Sequence, residues 1–324
     1  MTSVATPPID KRPAPGPGGS IQEAREIAEA ARETEWNPSF VKELFEGNLR
    51  LALIHPFPEP TPADVAKARP FLDKLEKFLL EHVDGDAIDR DAKVPPEVVE
   101  GLRKLGAFGI KIPTEYGGQG LSQLMYTRAV SLVSSVCGNT TALLSASQSI
   151  GVPVPLKLFG TPEQKKKYFP RLAAGQISAF ALTENNAGSD PAGLSTTARL
   201  SEDGKHWILN GEKAFIANGS VGKLFFLNAR TDPNVHMRDG VTTFVVTKDT
   251  PGFRIGKVFN KSGWRFYQNA ELIFENARVP HANILGEVNG ALKRSVGDNS
   301  GDMFGDLELA ANALGFCDDA CEQA

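Results

Sequence analysis

The sequence predicts an α+β fold, in which a helical N-terminal block precedes a compact β domain. Between residues 62 and 158 apolar side chains recur with a helical period. After Gly175 short β-rich runs alternate with turn residues, and the last segment returns to a helical period. A run of helices followed by a run of strands is typical of the α+β class.

The first 60 residues are expected to form a tail and an N-terminal extension. Residues 1–19 are rich in proline and glycine and cannot bury enough apolar surface to hold one conformation, which predicts disorder. Residues 20–60 form the extension. Within it, residues 20–23 (SIQE) have the spacing of a capping box and predict a helix from Ile21 to Glu33.

Residues 61–174 are predicted to form an all-α N-terminal domain. Residues 95–96, two prolines, open one helix, and residues 161–164 (TPEQ) open another that runs to about Leu172. The longest helix places one apolar stripe on a single side: Val65, Ala68, Phe71, Leu72, Leu75, Phe78 and Leu79.

Residues 175–283 are predicted to form the middle β domain. Asp203-Gly204 has the composition of a hairpin turn. The predicted strands are residues 180–183, 206–209, 223–229, 242–247 and 270–274.

Residues 284–324 are predicted to form a linker and one amphipathic helix. The apolar side of that helix carries Phe304, Leu307, Ala311, Leu314, Cys317 and Cys321. This stripe predicts a partner surface, supplied either by further chain or by another subunit.

Composition excludes several classes of protein. The chain has 35 Lys and Arg against 39 Asp and Glu, a net charge of −4, which disfavours a polybasic surface for nucleic acid or anionic membrane. With 41% hydrophobic and 23% charged residues it resembles an average globular protein. Three cysteines cannot form a disulfide framework and suit a reducing compartment, so a cytoplasmic location is expected.

Membrane and metal-binding functions are also disfavoured. The charge-free stretch at residues 129–156 is interrupted by Ser, Thr, Asn and Gln side chains, by Gly138 and by Pro153, which predicts buried helices rather than a transmembrane segment. The N-terminus lacks a basic segment followed by an apolar one, so no secretory signal is expected. The five histidines are scattered, and Cys317 with Cys321 would supply only two ligands, so no metal site is predicted.

The most informative segment for chemistry is residues 180–190 (FALTENNAGSD), a strand that leads into a loop of small residues. A strand edge offers backbone donors and acceptors in a fixed row. Gly188 permits close approach and Ser189 supplies a hydroxyl, as a planar heterocycle with phosphates requires. From the residues alone, a simple turn between two strands is the favoured interpretation. No Gly-x-Gly-x-x-Gly, Walker or Gly-x-Ser-x-Gly motif is present.

This segment resembles the flavin-binding signature F-x-L-T-E-P-x-A-G-S-D of the acyl-CoA dehydrogenase family. Further matches occur in the family's order and spacing: residues 112–118 (IPTEYGG), 160–164 (GTPEQ) with Tyr168, 209–213 (LNGEK), 278–280 (RVP) and 285–288 (LGEV). The resemblance covers residues 40–288. Residues 44–47 (LFEG) and 55–58 (HPFP) resemble the very-long-chain branch most.

The resemblance implies a helical N-terminal domain, a middle β-barrel domain and a C-terminal four-helix bundle, of which this chain would hold only the start. It implies FAD as cofactor, an acyl-CoA substrate, an electron-transfer flavoprotein as partner and a homo- or hetero-oligomer. The implied reaction is α,β-dehydrogenation of a fatty acyl-CoA thioester to a trans-2-enoyl-CoA, in which a carboxylate removes the α proton and the β hydrogen leaves as hydride.

The resemblance also assigns cofactor-binding residues. Thr183 is expected to bond the flavin pyrimidine edge, with Phe180 and Leu182 beside it. Gly188 and Ser189 are expected near the pyrophosphate, with Ser189 also near the CoA arm. Phe215, Ile216 and Ala217 occupy the family's W-I-T or W-I-S position, where an aromatic ring flanks the isoalloxazine and a hydroxyl meets its N5 atom.

The sequence departs from the family's pattern at several of these positions. Ala217 lacks the hydroxyl, and Asn185 replaces the usual proline. Tyr267 and Asn269 stand where smaller Ser and Thr are usual. Asp306 occupies the position of a family Arg, and the Glu that is catalytic in most members belongs to a region absent here.

The catalytic base is therefore not assigned by the resemblance. Glu308, one helical turn beyond the position that carries the base in a few branches, is the candidate, although a solvated surface carboxylate is the simpler interpretation. A non-catalytic homologue that serves as an interaction subunit is the alternative function. An oxidase-like flavoenzyme is a third.

Overall fold

The computed structural model describes residues 40–45, 47–56, 59–264, 266 and 268–291. The tail at 1–19, the helix predicted from Ile21 to Glu33 and the last segment with Glu308 lie outside the described residues, as do Arg265 and Tyr267.

Helices occupy the first half of the described chain. They are α1 (Phe40–Phe45), α2 (Pro62–His82), α3 (Gly85–Asp91), α4 (Pro96–Lys104), α5 (Gln123–Val136), α6 (Gly138–Ser145), α7 (Pro153–Phe159) and α8 (Pro162–Ala173), with a π-helical turn at Ala146–Ile150. Short 3₁₀ turns lie at Leu51–Leu53, Ala107–Gly109, Thr114–Tyr116, Pro191–Gly193, Met237–Asp239 and His281–Asn283.

The helix starts predicted at residues 95–96 and 161–164 are confirmed. The Thr161 hydroxyl accepts a bond from the Gln164 amide at 3.2 Å, and the Gln164 side chain accepts from the Thr161 amide at 3.1 Å, which completes a capping box. The apolar stripe of α2 is buried at Ala68, Phe71, Leu75 and Leu79.

The charge-free stretch forms buried helices, as the sequence predicts. It runs through the end of α5, through α6 and the π-helical turn, and into α7. Several of its polar groups are bonded internally; Gln148, for example, donates to the Ala107 carbonyl at 2.8 Å and accepts from the Ile110 amide at 2.9 Å. In the part of the chain that the structure describes, no helix is long and apolar enough to cross a membrane.

The strands form one seven-stranded sheet. They are β1 (Ser178–Ala181), β2 (Thr197–Leu200), β3 (His206–Ile216), β4 (Leu224–Arg230), β5 (Val241–Thr247), β6 (Phe253–Val258) and β7 (Ala270–Pro280). The order is β1-β4-β2-β3-β7-β6, with β5 also paired to β4. β1 runs parallel to β4, whereas the β2–β3, β3–β7, β6–β7 and β4–β5 pairs are antiparallel.

The sheet curls on itself so that strands distant in this order pack face to face. The Trp207 ring of β3 lies 5.7 Å from the Phe244 ring of β5, and the Phe225 ring of β4 lies 5.1 Å from the Phe253 ring of β6. These rings share one apolar core. The predicted α+β class, with helices followed by a barrel-like sheet, is confirmed.

The strand predictions were incomplete. The first strand lies at 178–181 rather than 180–183, and β3 and β7 continue beyond their predicted ends to Ile216 and Pro280. The sequence did not predict β2 and β6. Both are short and largely exposed, so their pattern lacks the apolar alternation that marks a half-buried strand.

One serine joins the helical block to the sheet. The Ser178 hydroxyl donates to the Ser147 carbonyl at 2.6 Å and accepts from the Val152 amide at 3.0 Å, while the Ser178 amide donates to the Ser147 hydroxyl at 3.1 Å. Ser178 is fully buried. These bonds fix β1, and therefore the loop that follows it, against the π-helical turn.

Candidate functional site

The loop after β1 begins with a tight turn. The Glu184 amide donates to the Ala187 carbonyl at 3.0 Å and the Ala187 amide donates to the Glu184 carbonyl at 3.1 Å, so the two residues close a two-residue bend. Asn185 lies in this bend and donates from its side chain to Glu212 on β3 at 2.9 Å. A hydrogen bond thus restrains the loop where the family has a proline.

Residues 180–183 lead into this turn and face different surroundings. The half-buried Phe180 ring packs 5.2 Å from the Phe226 ring of β4. Leu182 packs against a small apolar cluster around Ala187 and Leu194. The Thr183 carbonyl accepts a bond from the Ala214 amide at 2.9 Å, whereas in the described part of the chain no hydrogen bond engages its hydroxyl.

Gly188 and Ser189 form the exposed end of the loop. A Cβ placed on Gly188 would meet no protein atom within 4 Å, so the space beside this glycine is open. Ser189 is exposed. A ligand group can therefore approach the backbone here, which is the property that the sequence predicts for a phosphate-binding loop.

The end of β3 carries the second group of predicted residues. The Phe215 backbone is left-handed, with φ at +56°, and its side chain is 53% exposed. The pairing of β3 with β7 is interrupted between Lys213 and Ile216, so Phe215 sits in a β-bulge. Ile216 is buried, and Ala217 packs against the helical core.

The structure brings these two groups together. The Ala214–Thr183 hydrogen bond places Thr183, which is predicted to contact the flavin pyrimidine edge, directly beside Ala214, the residue before Phe215. The loop with Thr183 and Gly188 and the strand end with the exposed Phe215 ring therefore meet at this hydrogen bond.

A buried ion pair, which the sequence analysis did not predict, lies beneath this junction. The Lys213 Nζ atom lies 2.7 Å from Glu184 Oε1, and their side chains are 0% and 3% exposed. Lys213 also donates to the Leu182 carbonyl at 3.1 Å. The same Glu184 carboxylate accepts from the Ser195 amide and hydroxyl, both at 2.6 Å, and from the Thr196 amide at 3.0 Å.

The pKa values of both side chains in this pair are lowered, each for a different reason. Burial opposes ionisation of Glu184, but the charge and hydrogen bond of Lys213 and the bonds from Ser195 and Thr196 outweigh it and lower the pKa of Glu184 to about 2. Burial lowers the pKa of Lys213 to about 8, against the attraction of Glu184. Both groups are almost completely buried, so the pair acts on the loop's position.

No local sequence signal marks this pair, because residues 210–213 (NGEK) have low strand propensity. Lys213 nevertheless occupies a fully buried position of β3. A lysine at such a position demands an acidic partner, since an unpaired buried charge is strongly unfavourable.

A cavity of about 300 Å³ lies beside the site, at the junction of helices and sheet. Asn218, which follows Ala217, lines it with Leu143, Ile177 and Phe266. Its wall is mainly apolar, with Arg103 at its edge.

This fold and site define the acyl-CoA dehydrogenase family, and the chain belongs to it. The family's N-terminal domain model matches residues 66–176 and its middle domain model matches residues 179–277. The family resemblance carried by residues 180–190 and the other motifs is confirmed.

The relatives extend this result. The probable acyl-CoA dehydrogenase FadE10 of Mycobacterium tuberculosis is 44% identical over 304 residues, which cover 94% of this chain and 46% of the relative. The very long-chain specific acyl-CoA dehydrogenase of Homo sapiens is 34% identical over 282 residues, 85% of this chain and 43% of the relative. The chain thus spans about half the length of the curated relatives it matches.

A solved structure, an acyl-CoA dehydrogenase complexed with FAD from Bacillus anthracis, superposes with a TM-score of 0.68. It is 32% identical, and the match covers 79% of this chain and 43% of that one.

Proposed function

We propose that the loop after β1 and the end of β3 bind FAD, and that the chain takes part in α,β-dehydrogenation of a fatty acyl-CoA. The observation that carries this proposal is the Ala214–Thr183 main-chain hydrogen bond, which places Thr183 of the loop beside the strand end that bears the exposed Phe215 ring. The solved relative from Bacillus anthracis that is complexed with FAD supports the same cofactor.

The residues present fit a flavin nucleotide. The Thr183 hydroxyl is available to bond a polar ring edge, because nothing in the described chain engages it. The open space at Gly188 admits a phosphate group to the backbone, and Ser189 adds an exposed hydroxyl for the pyrophosphate or the CoA arm. The Phe215 ring offers an apolar face for a planar heterocycle.

The residues of this chain orient and enclose the reacting groups. When bound, FAD supplies an acceptor for the β hydrogen of the thioester, which leaves as hydride. Thr183 fixes one edge of the ring, and Phe215 excludes water from one face. Ala217 can contribute only its main-chain amide, at a position where the family pattern has a Thr or Ser hydroxyl. Phe180 packs on Phe226 and Leu182 packs on the Ala187–Leu194 cluster, which holds the segment on either side of Thr183, and Ile216 anchors the end of β3 in the core.

The base that removes the α proton is proposed to lie outside the described residues, with Glu308 as the candidate. An electron-transfer flavoprotein is the partner proposed to accept electrons from the site when FAD is bound. Acyl-chain length is left open.

The test is a titration of the cofactor-free protein with FAD, followed by quenching of flavin fluorescence. Thr183→Val is expected to weaken binding by about tenfold, because one hydrogen bond to a buried ring edge contributes roughly 1.4 kcal/mol. Thr197→Val is the matched control, since Thr197 is exposed on β2 and bonds only the Asn210 carbonyl at 3.4 Å. Absence of saturable FAD binding by the wild type would refute the proposal.

The missing hydroxyl at Ala217 favours one alternative, a non-catalytic homologue that serves as an interaction subunit. Anaerobic addition of fatty acyl-CoA to the FAD-bound protein separates the two. Bleaching of the flavin absorbance supports dehydrogenation, whereas tight FAD binding without bleaching supports the alternative.

A further inference from the structure

Three strands are irregular at the same end of the sheet. β3 is bulged between Lys213 and Ile216, and the β6–β7 pairing shifts between Ile255 and Val258. Phe215, at the first of these bulges, has a left-handed backbone, which is uncommon for a bulky residue and unfavourable by itself. Some interaction outside the strand must hold this conformation.

Asn269 supplies that interaction. Its side-chain Nδ2 donates to the Phe215 carbonyl at 2.7 Å. Its Oδ1 accepts from Lys261 Nζ at 2.7 Å. Because a lysine can only donate, the Lys261 contact fixes which end of the amide faces it and leaves the NH₂ group directed at Phe215.

Phe259, which is hydrogen-bonded to Asn269, covers one face of the Phe215 ring. The Phe259 amide donates to the Asn269 carbonyl at 2.9 Å. The Phe259 ring stacks on Phe215 with centroids 4.3 Å apart and an interplanar angle of 26°. Asn269 therefore ties together the backbone that carries Phe215 and the residue that stacks on it.

We propose that Asn269 is a positioning residue for the flavin site. Its side chain holds the Phe215 carbonyl, and with it the Phe215 ring, in the orientation that the cofactor requires. The inference rests on the proposed FAD binding and adds a residue to it. Lys261 acts through Asn269 by fixing the orientation of its amide.

Asn269→Asp isolates the donor. The carboxylate keeps the size of the side chain and the contact with Lys261, but it presents only acceptors to the Phe215 carbonyl. Asn276→Asp is the matched control: Asn276 lies within β7 and bonds Asn210 rather than Phe215. Asn269→Ser keeps an uncharged donor.

We expect the FAD dissociation constant of Asn269→Asp to rise at least tenfold, with a shift of the visible flavin bands, while Asn276→Asp stays within twofold of wild type. Asn269→Ser should bind FAD more tightly than Asn269→Asp. Hydrogen exchange of the cofactor-free chain should rise at residues 214–217 in Asn269→Asp alone.

Wild-type FAD affinity and unchanged bands in a folded Asn269→Asp protein would overturn the inference. If Asn269→Asp does not unfold cooperatively in urea, the FAD dissociation constant of Asn269→Ser decides the question. A value equal to that of wild type supports the role of the donor. A value equal to that of an Asn269→Ala protein overturns it. Failure of the wild type itself to bind FAD would instead refute the proposed function, and the exchange data would still show whether Asn269 fixes the bulge.

Discussion

Replacement of Lys213 by methionine tests the physical role of the buried ion pair. Methionine is close to lysine in length and apolar, so it fills the space without the charge. Glu184 would then remain buried without its Lys213 partner, and the Leu182 carbonyl would lose the bond from Lys213. Removal of one partner of a buried pair costs about 3–5 kcal/mol.

The structure favours the lower end of that range. Glu184 would keep three donors, namely the Ser195 amide, the Ser195 hydroxyl and the Thr196 amide. We therefore expect the free energy of unfolding to fall by about 3 kcal/mol. Adding Glu184→Gln to Lys213→Met should recover part of this loss, because the double variant buries no charge.

Urea unfolding of the cofactor-free protein, followed by far-UV circular dichroism, measures the effect. Lys205→Met is the control, because Lys205 is exposed in the turn before β3, and it should change stability by less than about 0.5 kcal/mol. A loss below about 1 kcal/mol for Lys213→Met, or no recovery in the double variant, would contradict the assignment of this pair as the element that holds the loop on β3.

Two further predictions concern the same loop. The pKa of Glu184 is lowered from its ordinary value of 4.5 to about 2, so its contribution to stability is complete above pH 4.5 and is lost as the pH falls toward 2. Urea unfolding measured across this pH range should show the loss, and Glu184→Gln should reduce the dependence of stability on pH. An unchanged pH dependence in that variant would count against the pair. Gly188→Ala should leave stability within about 0.5 kcal/mol of wild type, since the added Cβ meets no protein atom, yet weaken FAD binding; equal FAD affinity in a fluorescence titration would mean that the cofactor does not approach this glycine.

The fold was largely predictable because its signals are local. The capping box at Thr161 and Gln164 and the apolar stripe of α2 depend on residues three or four apart, and the structure shows both. The extension of β3 beyond residue 209 was not predictable in this way. Its residues 210–213 (NGEK) have low strand propensity and are ordered by pairing with β7, some sixty residues later in the chain.

The same contrast between local signals and contacts of distant residues applies to the candidate site. The motif at residues 180–190 identified the family and the loop, and it named Thr183, Gly188 and Ser189 before any geometry was known. It did not reveal Lys213 beneath Glu184 or Asn269 beside Phe215, because each of these contacts joins residues that are far apart in sequence.

By itself, the sequence determined the helical block, the β domain, the family and the loop that we propose binds FAD. Only the tertiary structure decided that a lysine of β3 is buried against the loop carboxylate and that the asparagine just before β7 bonds the carbonyl of an aromatic residue in a left-handed conformation. The physical reason is that propensity and capping act within one or two turns of chain, whereas burial of a charge and stabilisation of a strained backbone depend on partners that only the folded sheet brings into contact.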